Sequence, residues 1–245
     1  MRHRAHGERP SFVRWQQEWG AVSTRESEKQ HMPRGRRKVE NPATASRILA
    51  AAEKHFAAEG MAGARTDEIA DAAHANKAML YYYFGNKRRL HRAVLENLFR
   101  QLQSTSIPPA QIAQKPGERL SAFISGYFDF LATHPNYPRL VQREAMESSR
   151  NFGWIVRRYL RPFHNQLVQT IQEGIAAGEF RRVDPDHTAL SILGMTTSYF
   201  AAAPIMSEVV GRNLLAPQSV VKRKKALMDF LDHGLHSNPG EVKSR

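Results

Sequence analysis

The segment Asn76–Phe84 holds the side chains in this sequence that are best suited to contact a nucleic acid. Lys77 can reach guanine acceptors or a phosphate, and Ala78 and Met79 can touch the methyl group of thymine. All three are expected to be among the more exposed residues of a short helix. A cation beside small apolar groups in that arrangement favours contact with base edges.

Phosphate contacts are expected next to them. Tyr81 and Tyr83 carry hydroxyls of the kind that donate to phosphate oxygens. Lys87 opens the following helix, where its charge and the free backbone N–H groups can hold one phosphate. Leu80 and Phe84 are four residues apart, so we expect them to face the core and anchor the segment.

The positions of these residues require a short helix fixed by its neighbours. Apolar residues at helical spacing predict four successive helices, and Thr66 and Asn76 are suitable N-caps for the second and third. A tight break at His74-Ala75 separates those two. Two short helices joined in this way behind a longer one describe a helix-turn-helix, whose second helix lies in the major groove. The predicted ranges are 42–60, 66–73, 77–84 and 87–102.

Only helices are predicted in the remainder of the chain, so the expected fold class is all-α. No segment alternates apolar and polar residues with the period of a strand. Pro162 lies inside one helical run and should kink or split it. The predicted helices are 118–133, 137–149, 154–177, 186–210 and 217–236.

Composition limits the partners and the chemistry. The 245 residues suggest one large or two modest domains, and 36 basic against 23 acidic side chains leave a net charge of +13, which favours a polyanionic partner. The absence of cysteine excludes disulfides, a thiol nucleophile and cysteine-ligated metals. No apolar run is long enough to span a membrane and the start has no apolar signal region, so we expect no membrane partner and a cytoplasmic protein.

Residues 1–41 differ from the rest, with ten basic and five acidic side chains and almost no apolar periodicity. They are either a solvated, disordered tail or a basic arm that reaches phosphates or a minor groove through Arg34, Arg36 and Arg37. Met32 precedes this basic run, so translation starts at either Met1 or Met32. The predicted division is an extension over 1–41, a DNA-binding domain over 42–92 and a helical effector and dimerisation domain over 93–245.

No enzyme motif is visible: the chain has no glycine-rich phosphate loop, nucleophile elbow or HExxH. His233 and His236 are one helical turn apart, but the sequence places no third ligand beside them. We therefore expect neither a catalytic residue nor a metal or other cofactor. An architectural nucleic-acid protein is the alternative function, although residues 42–100 carry nine basic and six acidic groups, too few for binding by charge alone.

The region 44–92 resembles the N-terminal domain of the TetR (tetracycline repressor) family of bacterial regulators. The resemblance rests on unlike residues at fixed spacing, of which the block 80–87 is the most specific. This chain has His74 where the family usually has glycine, and Ala78 and Met79 where a small residue and threonine are common. The matching residues are Arg47, Ile48, Leu49, Ala51, Ala52, Phe56, Gly60, Thr66, Ile69, Ala70, Leu80, Tyr81, Phe84, Lys87 and Leu90.

The resemblance implies a homodimeric repressor of transcription, bound to double-stranded DNA at a palindrome and associated with the nucleoid. Its last two helices, 186–210 and 217–236, would form the dimer interface. Helices 118–133 and 154–177 would line a cavity for an unknown small-molecule effector that releases DNA. The candidate pocket residues, for which simple core packing stays the alternative, are Phe123, Tyr127, Phe130, Phe163, His164, Leu167 and Tyr199. The candidate DNA contacts are Thr66, Asn76, Lys77, Ala78, Met79, Tyr81, Tyr83 and Lys87, with Arg34, Arg36 and Arg37 of the arm.

Overall fold

The computed structural model describes residues 42–106, 115–147 and 152–236 of the chain. Within these ranges the regular elements are α-helices and one π-helical turn, and Phe180 and His236 form an isolated bridge. The predicted all-α class is confirmed. The helices, in chain order, are α1 Pro42–Gly63, α2 Thr66–Ala72, α3 Lys77–Phe84, α4 Lys87–Ser106, α5 Pro116–Thr133, α6 Tyr137–Met146, α7 Phe152–Ile155, α8 Arg161–Ala176, α9 Pro185–Ala201, α10 Ala203–Val210 and α11 Pro217–Leu235.

Helices α1 to α4 pack around one apolar core. Its largest fully buried side chains come from all four helices: Ile48, Phe56, Ile69, Leu80 and Leu90. Full burial of such a side chain stabilises the fold by about 1.5–3 kcal/mol. The two short helices are therefore held by packing against α1 and α4, as the predicted helix-turn-helix requires.

The predicted stop of the first helix at Gly60 is a kink followed by one more turn. Gly60 has φ 73° and ψ 174°, and the helix resumes to end at Gly63. This φ lies in the region that favours glycine, because a Cβ there would be strained. The glycine thus ends the regular part of α1 and turns the chain towards α2.

The turn between α2 and α3 contains a strained residue. His74 has φ 48°, and it is the one non-glycine residue with positive φ in the described part of the chain. The N–H of Ala75 donates to the carbonyl of Ala70 over 2.9 Å, which closes the end of α2. A left-handed backbone at a residue other than glycine costs on the order of 1 kcal/mol, so His74, which stands where the family usually has glycine, is unfavourable at this turn.

Two predicted helices are interrupted. The run 154–177 is split at the π-helical turn Val156–Leu160, directly before Pro162, as the proline predicted. The prediction of one helix over 186–210 was wrong, because the chain breaks at Ala202 and a new helix begins at Ala203, with Pro204 in its first turn. No single described helix is long and apolar enough to cross a membrane; α9 and α10 meet that criterion only together, and they are bent by 73°.

The domain boundaries stay predictions. The boundary between residues 92 and 93 falls inside α4, which is continuous, so it marks no break in the chain. Residues 1–41, with Arg34, Arg36 and Arg37, lie outside the described residues. The same holds for the final residues of the predicted helix 137–149, which is described as α6 up to Met146.

Helix α6 fastens the helix-turn-helix to the rest of the molecule through one arginine. Nε of Arg143 donates to the carbonyl of Ala57 over 3.2 Å, and Nη2 donates to the carbonyl of Ala58 over 2.8 Å. Both carbonyls belong to the last regular turn of α1, before Gly60, where carbonyls lose partners within the helix. Bonds from a charged donor are among the stronger hydrogen bonds, so Arg143 fixes the end of α1.

A buried contact between a histidine and a glutamate joins α6 to α4 beside this arginine. His91 Nε2 lies 3.3 Å from Glu144 Oε1, and both side chains are almost fully buried. The ring of His91 also packs edge-on against Phe56, and its Nδ1 is buried without a hydrogen-bond partner. Burial, together with the nearby charge of Lys87, lowers the pKa of His91 to about 4. The folded protein therefore holds this histidine neutral near pH 7.

From this pKa we predict that acid destabilises the fold through His91, at the contact between α4 and α6. Between the ordinary histidine pKa of 6.5 and the folded value of about 4, the unfolded chain binds a proton that the folded chain does not. Stability is thus present above pH 6.5 and is lost as the pH falls towards 4. From pH 7 to pH 5 the loss due to His91 should be about 2 kcal/mol in the free energy of unfolding.

Urea unfolding of the wild type and of His91→Gln at both pH values measures this loss. Glutamine keeps a donor for Glu144 but does not titrate, so the variant should lose less stability than the wild type on acidification. Equal losses in the two proteins would contradict the prediction.

Candidate nucleic-acid interface

Helix α3 is fixed at both ends and along one side. Oδ1 of Asn76 accepts from the N–H of Met79 over 2.8 Å, so the predicted N-cap is confirmed. Gly85, with φ 74°, ends the helix. Leu80 and Phe84 are buried, as their spacing predicted. The orientation of the other side of α3 is therefore set by its caps and by the core.

The exposed side of α3 differs in part from the prediction. Lys77, Ala78 and Tyr81 are exposed, whereas Met79 is half-buried. Tyr83 was expected among the more exposed residues, but it is half-buried and packs against the core. A tyrosine that stands against the core has less of its ring available for DNA.

Sequence reasoning missed Tyr82, the more exposed neighbour of Tyr83, which leaves 61% of its surface accessible. The spacing of Tyr82 relative to the buried residues of α3 already indicated its exposure. Tyr82 is two residues from Leu80 and two from Phe84, and on a helix of 3.6 residues per turn this places it opposite both. Its hydroxyl is therefore a candidate phosphate donor in addition to that of Tyr81.

Helices α2 and α3 are connected by two polar contacts between exposed side chains. Lys77 Nζ lies 2.6 Å from Asp67 Oδ1, and this carboxylate raises the pKa of Lys77. Thr66 Oγ1 lies 3.3 Å from the hydroxyl of Tyr81. The prediction that Thr66 is the N-cap was wrong: Arg65 occupies that position and makes no capping side-chain bond. Thr66 lies in the first turn of α2, where its hydroxyl can meet α3.

The start of α4 combines cations with the free N–H groups of a helix end. Lys87 is half-buried, and its Nζ donates to the carbonyl of Ala62 over 3.0 Å. An ammonium has three donors, so this bond leaves others for a phosphate. Arg88 beside it is exposed, and Oδ1 of Asn86 accepts from the N–H of Arg89 over 2.9 Å. The geometry suits an anion at this end of α4.

The candidate effector residues do not lie in one group. Phe123, Tyr127 and Phe163 are in contact, with ring centroids 4.6 Å apart for the two phenylalanines and 5.3 Å apart for Tyr127 and Phe163. The hydroxyl of Tyr127 is 2.6 Å from Thr197 Oγ1. Burial raises the pKa of Tyr127 to about 12, so this phenol stays protonated. These three rings join α5 to α8, and Thr197 adds α9.

The other four candidates have different surroundings. Phe130 stacks on His134, and its ring also meets that of Tyr137, so it faces the start of α6. Leu167 is fully buried. The hydroxyl of Tyr199 donates to the carbonyl of Leu214 over 2.6 Å. His164 is partly exposed, and its Nε2 lies 3.9 Å from Asp186.

A cleft of about 330 Å³ lies elsewhere, between the start of α5 and the end of α11. None of the seven candidate pocket residues lines it. Its lining combines apolar with ionisable side chains, and no feature of the sequence indicated it. The lining includes Leu120, Ile124, Phe180, Lys225, Asp232 and His236.

Sequence comparison with characterised proteins relates both parts of the chain to regulators. Across 106 residues the chain is 41% identical to the HTH-type transcriptional repressor SCO4008 of Streptomyces coelicolor, over 43% of this chain and 51% of that protein. The chain thus spans about half the length of this relative. Across 199 residues it is 25% identical to the HTH-type transcriptional repressor NicS of Pseudomonas putida, over 78% of this chain and 92% of that one.

A solved structure shares the fold. The regulator AibR, determined with isovaleryl coenzyme A and operator DNA, is similar with a TM-score of 0.63 and 20% identity, over 76% of this chain and 97% of that chain. An identity this low supports the fold alone.

Two domain descriptions of one protein family match successive parts of the chain. Residues 48–94 match the bacterial regulatory proteins of the tetR family. Residues 116–231 match the tetracyclin repressor-like C-terminal domain. The first match covers α3 and its supporting helices, and the second covers the helical body from α5 into α11. The protein belongs to the TetR family of bacterial transcriptional regulators.

Proposed function

We propose that the protein is a homodimeric repressor of transcription that binds a palindromic operator and leaves it when a small molecule binds its helical body. The observation that carries the proposal is the two-sided character of α3. Leu80 and Phe84 anchor one side in the core, while Lys77, Ala78 and Tyr81 face outwards. A rigid helix with a small, mixed outer face is suited to a major groove.

Each outer group has a separate role in this proposal. Ala78 and Met79 contact base edges, and the hydroxyls of Tyr81 and Tyr82 donate to phosphates. Lys87 and the first N–H groups of α4 hold a further phosphate. Lys77 reaches DNA by leaving Asp67, since the bond between these exposed side chains contributes little stability. The charge of Asp67 also keeps the outer face of α3 from attracting any DNA sequence without discrimination.

The dimer is proposed on the exposed surfaces of α9 and α11. Helix α9 exposes a row of small residues, Ser191, Gly194 and Ser198, which allow a second helix to approach closely. Helix α11 exposes Val221 and Phe230. Exposed apolar side chains on ordered helices are the kind of surface that protein interfaces bury. A twofold axis here would place two α3 helices on successive major grooves, roughly 34–36 Å apart.

The effector site is proposed at the ring cluster of Phe123, Tyr127 and Phe163. This cluster lies where three helices of the body meet, and the Tyr127 hydroxyl supplies a polar group inside it. The solved structure of AibR contains both a small molecule and operator DNA, so this fold accommodates the two ligands. The other four candidates, Phe130, His164, Leu167 and Tyr199, have different surroundings and are not part of this cluster.

The route from that site to DNA is proposed to pass through α6. Helix α5 leads into α6 through only three residues, so a shift of α5 is transmitted directly. Arg143 then holds the end of α1, and Glu144 holds His91 at the start of α4. These two helices flank α2 and α3, so a small movement of α6 changes the orientation of the recognition helix.

The first test is whether the protein selects one site. A homodimer should protect a single inverted repeat in a footprint, and that repeat should emerge from random DNA after selection. Uniform protection along the duplex would instead support an architectural protein that binds by charge. A monomer in sedimentation at micromolar concentration, together with no selected palindrome, would refute the proposed function.

The roles on α3 and α4 predict different effects of substitution. Lys87→Ala should weaken binding to all DNA sequences alike and reduce the slope of log affinity against log salt by about 0.9 for each lost contact in each dimer half. Lys222→Ala removes the same charge from α11 and should change neither the affinity for DNA nor the slope against salt. Met79→Ala should alter which bases are preferred.

Competition titrations with operator variants across a salt series measure these effects. If Lys87→Ala changed base preference while Met79→Ala did not, the two assignments would be wrong.

We predict that two truncations of the N-terminal arm differ in their effect on operator affinity. Removing residues 1–31 should leave operator affinity nearly unchanged, because they carry no periodic apolar face. Removing residues 1–38 also deletes Arg34, Arg36 and Arg37, and should weaken binding most clearly at low salt, where counterion release is largest. Fluorescence anisotropy across a salt series decides this, and equal affinities would identify the segment as a solvated tail.

A further inference from the structure

Three side chains of the kinds that bind metal ions meet where α1 lies against α2. His55 and Glu59 are on α1, and Glu68 is in the first turn of α2. One ring nitrogen of His55 and one carboxylate oxygen of each glutamate all lie within 4.8 Å of one another. In the described part of the chain this is the one group of three histidine or acidic side chains that comes so close.

The packing of the two helices brings these ligands together. His55 and Glu59 are four residues apart, so they share one face of α1, and Nδ1 of His55 lies 2.9 Å from Oε1 of Glu59. Phe56 on α1 and Ile69 on α2 are fully buried beside the ligands, which holds both helices in place. A site built from helices that are fixed by packing is preorganised for its ligand.

An imidazole nitrogen combined with two carboxylates suits a divalent transition-metal ion. Imidazole is a common ligand of Zn²⁺ and its neighbours in the first transition row, whereas Mg²⁺ and Ca²⁺ prefer oxygen ligands alone. Bonds of about 2.0–2.2 Å to a tetrahedral Zn²⁺ place two ligand atoms roughly 3.4 Å apart, so the glutamates need to move by at most about 1.5 Å. Three protein ligands leave a fourth position for water.

Charge and access also favour a cation at this cluster. The two carboxylates meet one described cation, Arg65, whose Nη1 lies 3.6 Å from Oε1 of Glu68. An ion pair between such exposed side chains contributes little stability, so a metal ion can displace it. The side chains of His55, Glu59 and Glu68 are 23%, 37% and 45% exposed, which leaves them open to an ion from solvent.

We propose that His55, Glu59 and Glu68 bind one divalent transition-metal ion, which fastens α2 to α1. The inference is independent of the proposed repressor function, because it requires only the described packing of the two helices. The three ligands come together only when α1 and α2 are packed, so the ion binds the folded chain in preference to the unfolded chain. Bound metal therefore stabilises the folded protein.

The affinity of the full chain for Zn²⁺, measured by competition with a chromophoric chelator, tests the three ligands. His55→Ala should weaken binding at one site by at least roughly tenfold, since even the loss of an outer-shell partner costs about 10–100-fold. Glu59→Gln and Glu68→Gln should also weaken it, because a neutral amide replaces a charged ligand. His233→Ala and Glu208→Gln make the same kinds of change at exposed residues outside the cluster, and they should leave the affinity unchanged.

Thermal unfolding gives a second measurement. Zn²⁺ at about a hundredfold excess over its dissociation constant should raise the Tm of the wild type by roughly 5 °C or more. His55→Ala and Glu68→Gln should lose this increase, while His233→Ala should keep it. Mg²⁺ at the same concentration should leave the Tm of the wild type unchanged, because it keeps its water and takes oxygen ligands.

Three outcomes would overturn the proposal. A wild type whose Tm does not respond to Zn²⁺ has no such site. Unchanged affinity and an unchanged Tm increase in His55→Ala would place the ion elsewhere in the chain. Weakening in His55→Ala and Glu59→Gln but not in Glu68→Gln would describe a site on α1 alone, which fastens nothing.

Circular dichroism without metal checks that each variant is folded. Should His55→Ala lose its helix content, the variants Glu59→Gln and Glu68→Gln carry the same test, since they replace side chains of nearly equal size.

Discussion

The buried face of α4 is the constraint on which the rest of the described structure depends. Leu90, Val94, Leu98 and Leu102 follow one another at helical spacing, and all are almost fully buried. Helix α4 contacts α1 and α3 as well as α5, and its buried residues belong to one apolar core that also contains residues of α5. One rigid helix thus joins the helix-turn-helix to the helical body. The recognition helix therefore cannot change its orientation independently of α4, so any signal from the body must move this helix or the contacts around it.

Helix α6 supplies the contacts that turn this shared helix into a junction. An apolar interface alone would tolerate small sliding, whereas Arg143 on the α1 carbonyls and Glu144 on His91 require defined positions. Removing the carboxyl group of Glu144 would leave Nε2 of the buried His91 without this partner, and a buried polar group that loses its partner costs free energy. The junction therefore prefers a few discrete arrangements, which is the property that a switch between two affinities requires.

The nucleic-acid face of α2 and α3 and the exposed apolar residues of α9 to α11 differ in their charge. On α2 and α3 the cations Arg65 and Lys77 are paired with acidic neighbours, so general attraction to DNA is reduced and shape matters more. On α10 charge is nearly absent and apolar groups face outwards. For the proposed repressor, which would bind one DNA site and one identical partner, this separation is useful because DNA is not attracted to the apolar surface and the partner is not attracted to the charged one.

Much of the structure follows from local chemistry that the sequence states directly. Asn76 can cap a helix, glycine tolerates the positive φ at Gly60 and Gly85, and residues four apart lie on one helix face, so α3, its limits and its anchors Leu80 and Phe84 were predictable. The resemblance in the block 80–87 identified the family for the same reason, since these positions are fixed by local geometry. Even the strain at His74 could be expected from the turn that it occupies.

Tertiary structure alone decided the contacts between distant residues. Tyr83 packs against the core because of the elements that surround α3, and Thr66 became a partner of Tyr81 because α2 and α3 lie close together there. The break at Ala202 and the outward apolar side of α10 depend on what α9 packs against, which no local pattern contains. The bonds of Arg143 and Glu144 join residues more than fifty positions apart in the chain. A one-dimensional pattern records which side of a helix is apolar, but only packing determines what that side meets.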